Sequence, residues 1–179
     1  MASLFDPALL ETPSRSEREG SSVEGYRVRP LRRDDLQLGF LQVLQTLTDT
    51  GRISLPQFHE RFDRVKGLGY FTIVVEKEGE QRRIVACGTL MVECKFIHAC
   101  GLVGHVEDVA VLASEQGKRL GRVVMKTLEG LARRLGCYKT TLASSPHNQP
   151  FYERCGYKQT SLEMANYFAP IKRDQTPGI

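Results

Sequence analysis

From Val106 to Leu135 the chain reads VEDVAVLASEQGKRLGRVVMKTLEGLARRL, and no other stretch restricts the fold as much. A β-branched run gives way to a short loop, a basic Gly-bearing turn and an amphipathic helix. Leu120, Val124, Leu128, Leu131 and Leu135 recur at helical spacing and make one apolar face. A helix that starts at such a turn leaves its first N–H groups unpaired, and its dipole adds partial positive charge there. Gln116-Gly117-Lys118-Arg119-Leu120-Gly121 occupies the turn. Gly117 and Gly121 let the backbone come close to a ligand, while Lys118, Arg119 and Arg122 add charge. The pattern predicts an anion site, with a pyrophosphate as the expected guest.

The rest of the chain fits around that unit. Tyr26 to Leu31 alternates like a first strand. Asp34 or Asp35 then caps a helix whose apolar positions are Leu36, Phe40, Val43, Leu44 and Leu47, ended by Thr48 to Gly51. Pro56 opens a second helix carrying Phe58, Phe62 and Val65. Phe71–Glu76, Ile84–Glu93 and Val103–Val111 read as strands, with Glu78-Gly79 turning between the first two. After Gly136 another strand begins at Thr140-Thr141-Leu142. A short helix then carries Phe151, Tyr152 and Arg154, and a last strand is expected from about Ser161 to Phe168. The order implies an α/β fold around one mixed, twisted sheet flanked by helices. Residues 1–25 read as a flexible tail, 26–168 as one domain and 169–179 as a second tail. The early LFDPALL piece could equally dock on the body or stay loose.

Net charge is +4, which suits an anionic small ligand but is too slight to point to nucleic acid. The five cysteines (Cys87, Cys94, Cys100, Cys137, Cys155) include no CxxC spacing, so the expectation is reduced thiols and no metal. No long apolar run marks a leader or a membrane span, and a cytoplasmic protein is expected.

The phosphate turn after the fourth strand resembles that of the GCN5-related N-acetyltransferase superfamily, whose members use acetyl-CoA. Its signature is Arg or Gln, two variable residues, Gly, one variable residue, then Gly or Ala. Gln116 and Gly121 match, and Arg119 stands where the middle Gly is usual. Further segments narrow the resemblance: KFIH (Lys95–His98), GHVEDVAV (Gly104–Val111), GCYKTTL (Gly136–Leu142) and NQPFYERCGY (Asn148–Tyr157). Together, over roughly Tyr26 to Met164, they resemble the glucosamine-6-phosphate N-acetyltransferase family. That family acetylates the 2-amino group of its sugar phosphate, a step towards UDP-N-acetylglucosamine.

What the resemblance implies can be set out residue by residue. Val109, Ala110 and Val111 would pair through their backbone with the pantetheine arm, where the fourth and fifth strands splay. The N–H near Val109 would also face the oxyanion. Gly117, Lys118, Arg119, Leu120, Gly121 and Arg122 would take the pyrophosphate. Tyr152 would be the general acid for the leaving thiolate, since a phenol and a thiol have similar acidity. Asn148 would bond the coenzyme or cap the short helix. Glu107 and Asp108 would meet the sugar, Glu107 aiding deprotonation, and as strand neighbours they should point to opposite faces. Thr48, Lys95, Phe96, Ile97 and His98 would contact the sugar and its phosphate, with Tyr138 and Lys139 supplied by the partner of a homodimer. Leu162, Met164, Tyr167 and Phe168 fit a strand shared between subunits, and equally a monomer's edge.

The chain departs from the family in two further places. Ala143 replaces the usual acidic residue after strand five, and Tyr167 stands where a phosphate-binding Arg is expected. Two rival functions follow: an acetyltransferase of the same fold acting on another amine, or a non-catalytic acyl-CoA-binding protein.

Overall fold

Runs rich in Val, Ile and Thr form the centre of a five-stranded sheet in the computed structural model, which describes residues 2–11 and 22–168. The strands are β1 (Tyr26–Pro30), β2 (Tyr70–Lys77), β3 (Arg83–Cys94), β4 (Leu102–Val111) and β5 (Cys137–Thr141). They lie side by side in chain order, antiparallel from β1 to β4, with β5 parallel to β4. The helices are α1 (Phe40–Leu44), α2 (Leu55–Val65), α3 (Leu120–Arg134) and α4 (Gln149–Arg154).

A parallel pair needs a long crossover, and α3 supplies it between β4 and β5. Its buried Val124, Leu128 and Leu131 lie on one face of the sheet, in a cluster with Ile73, Val85, Leu90 and Val106. Gly88 is what lets the helix come so close. A Cβ there would sit 2.6 Å from Val124 Cγ1. On the opposite face, Phe40 and Val43 of α1 and Phe58 and Phe62 of α2 cluster with Val74, Ile84, Cys87 and Ala110. Ser54 and Gln57 close a capping box at the start of α2, with Pro56 in its first turn.

Three expectations are corrected. The first helix is only five residues long. Gly39, with φ +93°, interrupts the pattern, and Asp35 does not cap it. The Asp35 carboxylate is instead buried against Arg29 and the N–H of Arg32. The N-terminal piece is not loose: Leu4 is buried, its N–H donates to Leu31 O, and Phe5 packs edge-on against Phe71. Finally, Ser161–Phe168 forms no strand within this chain, and Leu162, Met164, Tyr167 and Phe168 are exposed. The tail positions 12–21 and 169–179 lie outside the described residues. No described helix is long and apolar enough to cross a membrane.

Candidate active site

β4 and β5 are paired only from Leu102 and Cys137 up to His105 and Thr141. β4 runs on to Val111, held along its other edge by β3. Beyond His105 the backbone facing β5 therefore has no strand partner, so Val109, Ala110 and Val111 border an open wedge. A bulge marks its start. Thr89 pairs with Glu107 but Cys87 with Ala110, leaving one extra residue on β4, and Asp108 takes φ +54°. The expected strict alternation of Glu107 and Asp108 is thus broken. Both carboxyls are pushed up from their ordinary values, Glu107 through desolvation and then the charge of Asp108, Asp108 through desolvation.

The basic turn opens the far end of this wedge. Gly117 (φ +79°) and Arg119 (φ +64°) both take left-handed backbone, and no side chain caps α3. The left-handed requirement explains why a glycine is natural at the position Arg119 holds. Uncapped first-turn N–H groups, with exposed Arg119 and Arg122 beside them, suit a diphosphate. Two residues of the turn also have partners within the fold. Gly121 makes room for a ring, since a Cβ there would sit 3.2 Å from Phe151 Cζ. Lys118 is drawn back to Glu115 at 2.6 Å and to the Tyr26 hydroxyl at 3.3 Å.

Glu115 is buried and also accepts from Tyr26 Oη at 2.6 Å, Lys77 Nζ at 3.0 Å and Arg83 at 3.0 Å. Lys118, Tyr26 and Lys77 hold its carboxyl far below the usual range, against desolvation. This network ties the turn to β1, β2 and β3. Lys118→Ala is therefore expected to leave acetyl-CoA affinity within about threefold, because Lys118 serves Glu115. Loss of a direct charged contact to phosphate would instead cost roughly 10- to 100-fold. Calorimetric titration separates the two.

Tyr152 extends from α4, half-buried between Phe151 and Tyr157, at 5.0 and 6.3 Å between ring centroids. Its hydroxyl has no hydrogen-bond partner among the described residues. Desolvation pushes its pKa up, helped by Cys155 and by the charge of Glu107, so the phenol keeps its proton at neutral pH. Asn148 stands at the N-cap of α4 but makes no capping bond, leaving its amide open.

The other expected contacts separate into groups. Lys95 Nζ bonds Glu93 Oε1 at 2.6 Å, and Glu93 Oε2 bonds His105 Nε2 at 2.8 Å, a polar row that leads along the sheet towards Glu107. His98 turns away, its ring 4.8 Å from that of Tyr138, over which Lys139 Nζ lies at 5.8 Å. Left-handed backbone at His98, Ala99 and Cys100 makes this sharp turn, and Phe96 and Ile97 project into solvent. Thr48 is exposed between α1 and α2. One chain thus joins Lys95 to the wedge, but not His98, Tyr138 or Lys139. Sequence reasoning missed Glu93 and His105. The signal was present, since His105 and Glu107 are two residues apart on a strand and share a face. No group of three or more potential metal ligands occurs among the described residues.

Residues 39–157 match the model of the acetyltransferase (GNAT) family. The chain is 37% identical to a glucosamine 6-phosphate N-acetyltransferase of Arabidopsis thaliana over 82% of its own length and 99% of that protein. It is 41% identical to the enzyme of the same name from Candida albicans, over 81% of this chain and 97% of that one. Its fold is similar to the crystal structure of the Arabidopsis glucosamine-6-phosphate N-acetyltransferase, with a TM-score of 0.78, covering 82% of this chain and all of that one.

Proposed function

The chain belongs to the GNAT acetyltransferases and, within them, to the glucosamine 6-phosphate N-acetyltransferases, and on that premise we propose how its own residues carry out the transfer. The reaction moves acetyl from acetyl-CoA to the 2-amino group of D-glucosamine 6-phosphate. The observation that carries the assignment to this site is the wedge between β4 and β5, open from Val106 and leading to an uncapped helix start.

Gly117, Arg119, Leu120, Gly121 and Arg122 hold the diphosphate, mainly through backbone N–H groups. Val109, Ala110 and Val111 pair with the pantetheine arm as an added strand would. Glu107 and Asp108 meet the sugar and its ammonium, and Glu107 aids the ammonium's deprotonation. An N–H near Val109 receives the developing oxyanion. As the C–S bond breaks, Tyr152 gives its proton to sulfur. Asn148 bonds the coenzyme. The phosphate end of the sugar meets Lys95, and Thr48 meets its hydroxyls.

His98, Tyr138 and Lys139 form one cluster away from the wedge, and this supports a homodimer in which a second chain brings them, with Phe96 and Ile97, to the site. Exposed Leu162, Met164, Tyr167 and Phe168, together with the free outer edge of β5, supply a surface for that pairing. The free thiols suit a reducing compartment, and we place the protein in the cytoplasm.

Tyr167, at the place of a family phosphate-binding Arg, favours one rival, a same-fold enzyme for an unphosphorylated amine. Thiol release from acetyl-CoA decides between them. Glucosamine 6-phosphate is expected to react at least tenfold faster than glucosamine at equal, subsaturating concentration. Equal rates would remove the phosphosugar assignment.

A further inference from the structure

We propose that His105, held by Glu93, is the base that takes the proton shed by the sugar amine as it attacks the thioester. This rests on the acetyl transfer assigned above and adds a residue to it. His105 pairs with Thr141 at the last rung before β4 and β5 part, so its ring stands at the mouth of the wedge. Glu107, two residues on, shares its face of the strand.

The ring is oriented for this task. Nε2 lies 2.8 Å from Glu93 Oε2, and a carboxylate accepts a hydrogen bond there, which puts the proton on Nε2 and the lone pair on Nδ1. Nδ1 lies 3.4 Å from the Thr141 hydroxyl, a long contact that an incoming amine replaces readily. A carboxylate behind an imidazole fixes the tautomer and favours the imidazolium that forms, the logic of a carboxylate–histidine pair. The side chain is about 30% exposed, so it is reachable.

The charged groups around it are few. β3 contributes Glu93, and just past its end lies Lys95, whose ammonium occupies the other oxygen of Glu93. β4 contributes Glu107 and the bulged Asp108, with Glu163 acting on Glu107 from beyond α4. β5 offers the Thr141 hydroxyl, while Lys139 turns its ammonium over Tyr138. Glu107 beside Asp108 is well placed to hold an ammonium. His105 is the group that turns an acceptor nitrogen, Nδ1, to this face, with only the long Thr141 contact on it.

The step balances. The sugar's ammonium first gives one proton to solvent beside Glu107, the neutral amine's lone pair then forms the C–N bond, and the nitrogen passes its second proton to His105 Nδ1. The C–S bond breaks, and the thiolate takes the Tyr152 proton. Solvent then returns a proton to Tyr152 and removes one from His105.

The test uses the full chain with glucosamine 6-phosphate and acetyl-CoA across pH 5.5 to 9.5. His105→Gln is expected to lower kcat roughly 10²-fold at neutral pH, the lower end of what base catalysis supplies. Acetyl-CoA affinity by calorimetry stays within about twofold, which also shows that the variant is folded. The fall in kcat on the acid side of the wild-type profile disappears in this variant. Glu93→Gln keeps the acid-side fall but lowers kcat roughly tenfold, because the ring loses the carboxylate that orients it. A His105→Gln profile like that of the wild type, or a rate lost equally at every pH, overturns the base role. No thiol release by the wild type overturns the functional assignment instead, so the two failures are distinct.

Discussion

Replacing Tyr152 with Phe is expected to lower kcat roughly 10³-fold while leaving acetyl-CoA affinity within about twofold, in the middle of the range for a lost general acid. In free energy this is about 4 kcal/mol of transition-state stabilisation. The ring stays: its edge contacts with Phe151 and Tyr157 are apolar and survive the change. The lost hydroxyl has no partner among the described residues, so its removal leaves no protein group unsatisfied. Only the proton is missing. Desolvation, then Cys155 and Glu107, hold the Tyr152 phenol in its acid form through neutral pH. Besides the acid-side fall assigned to His105, the wild-type rate should therefore fall on the alkaline side, past the ordinary tyrosine range. The Phe variant should lack that limb. Steady-state thiol release gives kcat, and titration calorimetry gives the affinity. An unchanged kcat would remove Tyr152 from the chemistry.

How much of this was legible in the sequence depends on the range of the interaction involved. The unit from β4 through the basic turn to α3 could be read because its signals are local: β-branched residues, then glycines, then leucines at helical spacing. The same holds for α2, where Ser54, Pro56 and Gln57 announce the start. The bulge at Asp108 has no such signal. One extra residue on β4 is defined only against β3, so the aim of Glu107 and Asp108 depended on a register the sequence does not print. Lys118 and Gly121 have contacts that the turn does not announce, for a related reason. Their partners, Glu115 with Tyr26 for one and Phe151 for the other, come from the fold and not from the turn. The stretch from Ser161 to Phe168 carries apolar and aromatic residues that suit a strand, yet it pairs with none among the described residues. Asp35 looked like a helix cap because a cap needs only local geometry, whereas its actual partner lies on β1.

That partner carries the largest expected effect on stability. Arg29→Met should destabilise the protein by about 3–5 kcal/mol, the cost of leaving buried charge without its counter-ion. Arg29 is buried and binds Asp35 through both terminal nitrogens, at 2.7 and 2.8 Å, and Glu76 through Nε at 2.6 Å. Asp35 and Glu76 are as deeply buried as Arg29, so three side chains from β1, the following turn and β2 meet out of water. Methionine fills the volume but returns no charge. Asp35 keeps only the Arg32 N–H among these contacts, and Glu76 keeps Arg82. For a chain of this size the loss lowers the melting midpoint by roughly 10 °C or more. Packing and charge can be told apart by pH. Desolvation raises the Glu76 carboxyl, but the bonds to Arg29 and Arg82 outweigh it and leave the group below its ordinary value. A carboxyl depressed on folding contributes stability above its unfolded value, near pH 4, and loses it as pH falls through the folded value. In the variant, the orphaned carboxylates recover by taking up protons. The gap between wild type and variant should therefore be widest near neutral pH and narrow as pH falls below about 5. Urea midpoints measured at pH 7 and pH 4 give both gaps. A gap of the same size at both would mean that lost packing, and not the buried ion pair, accounts for the change.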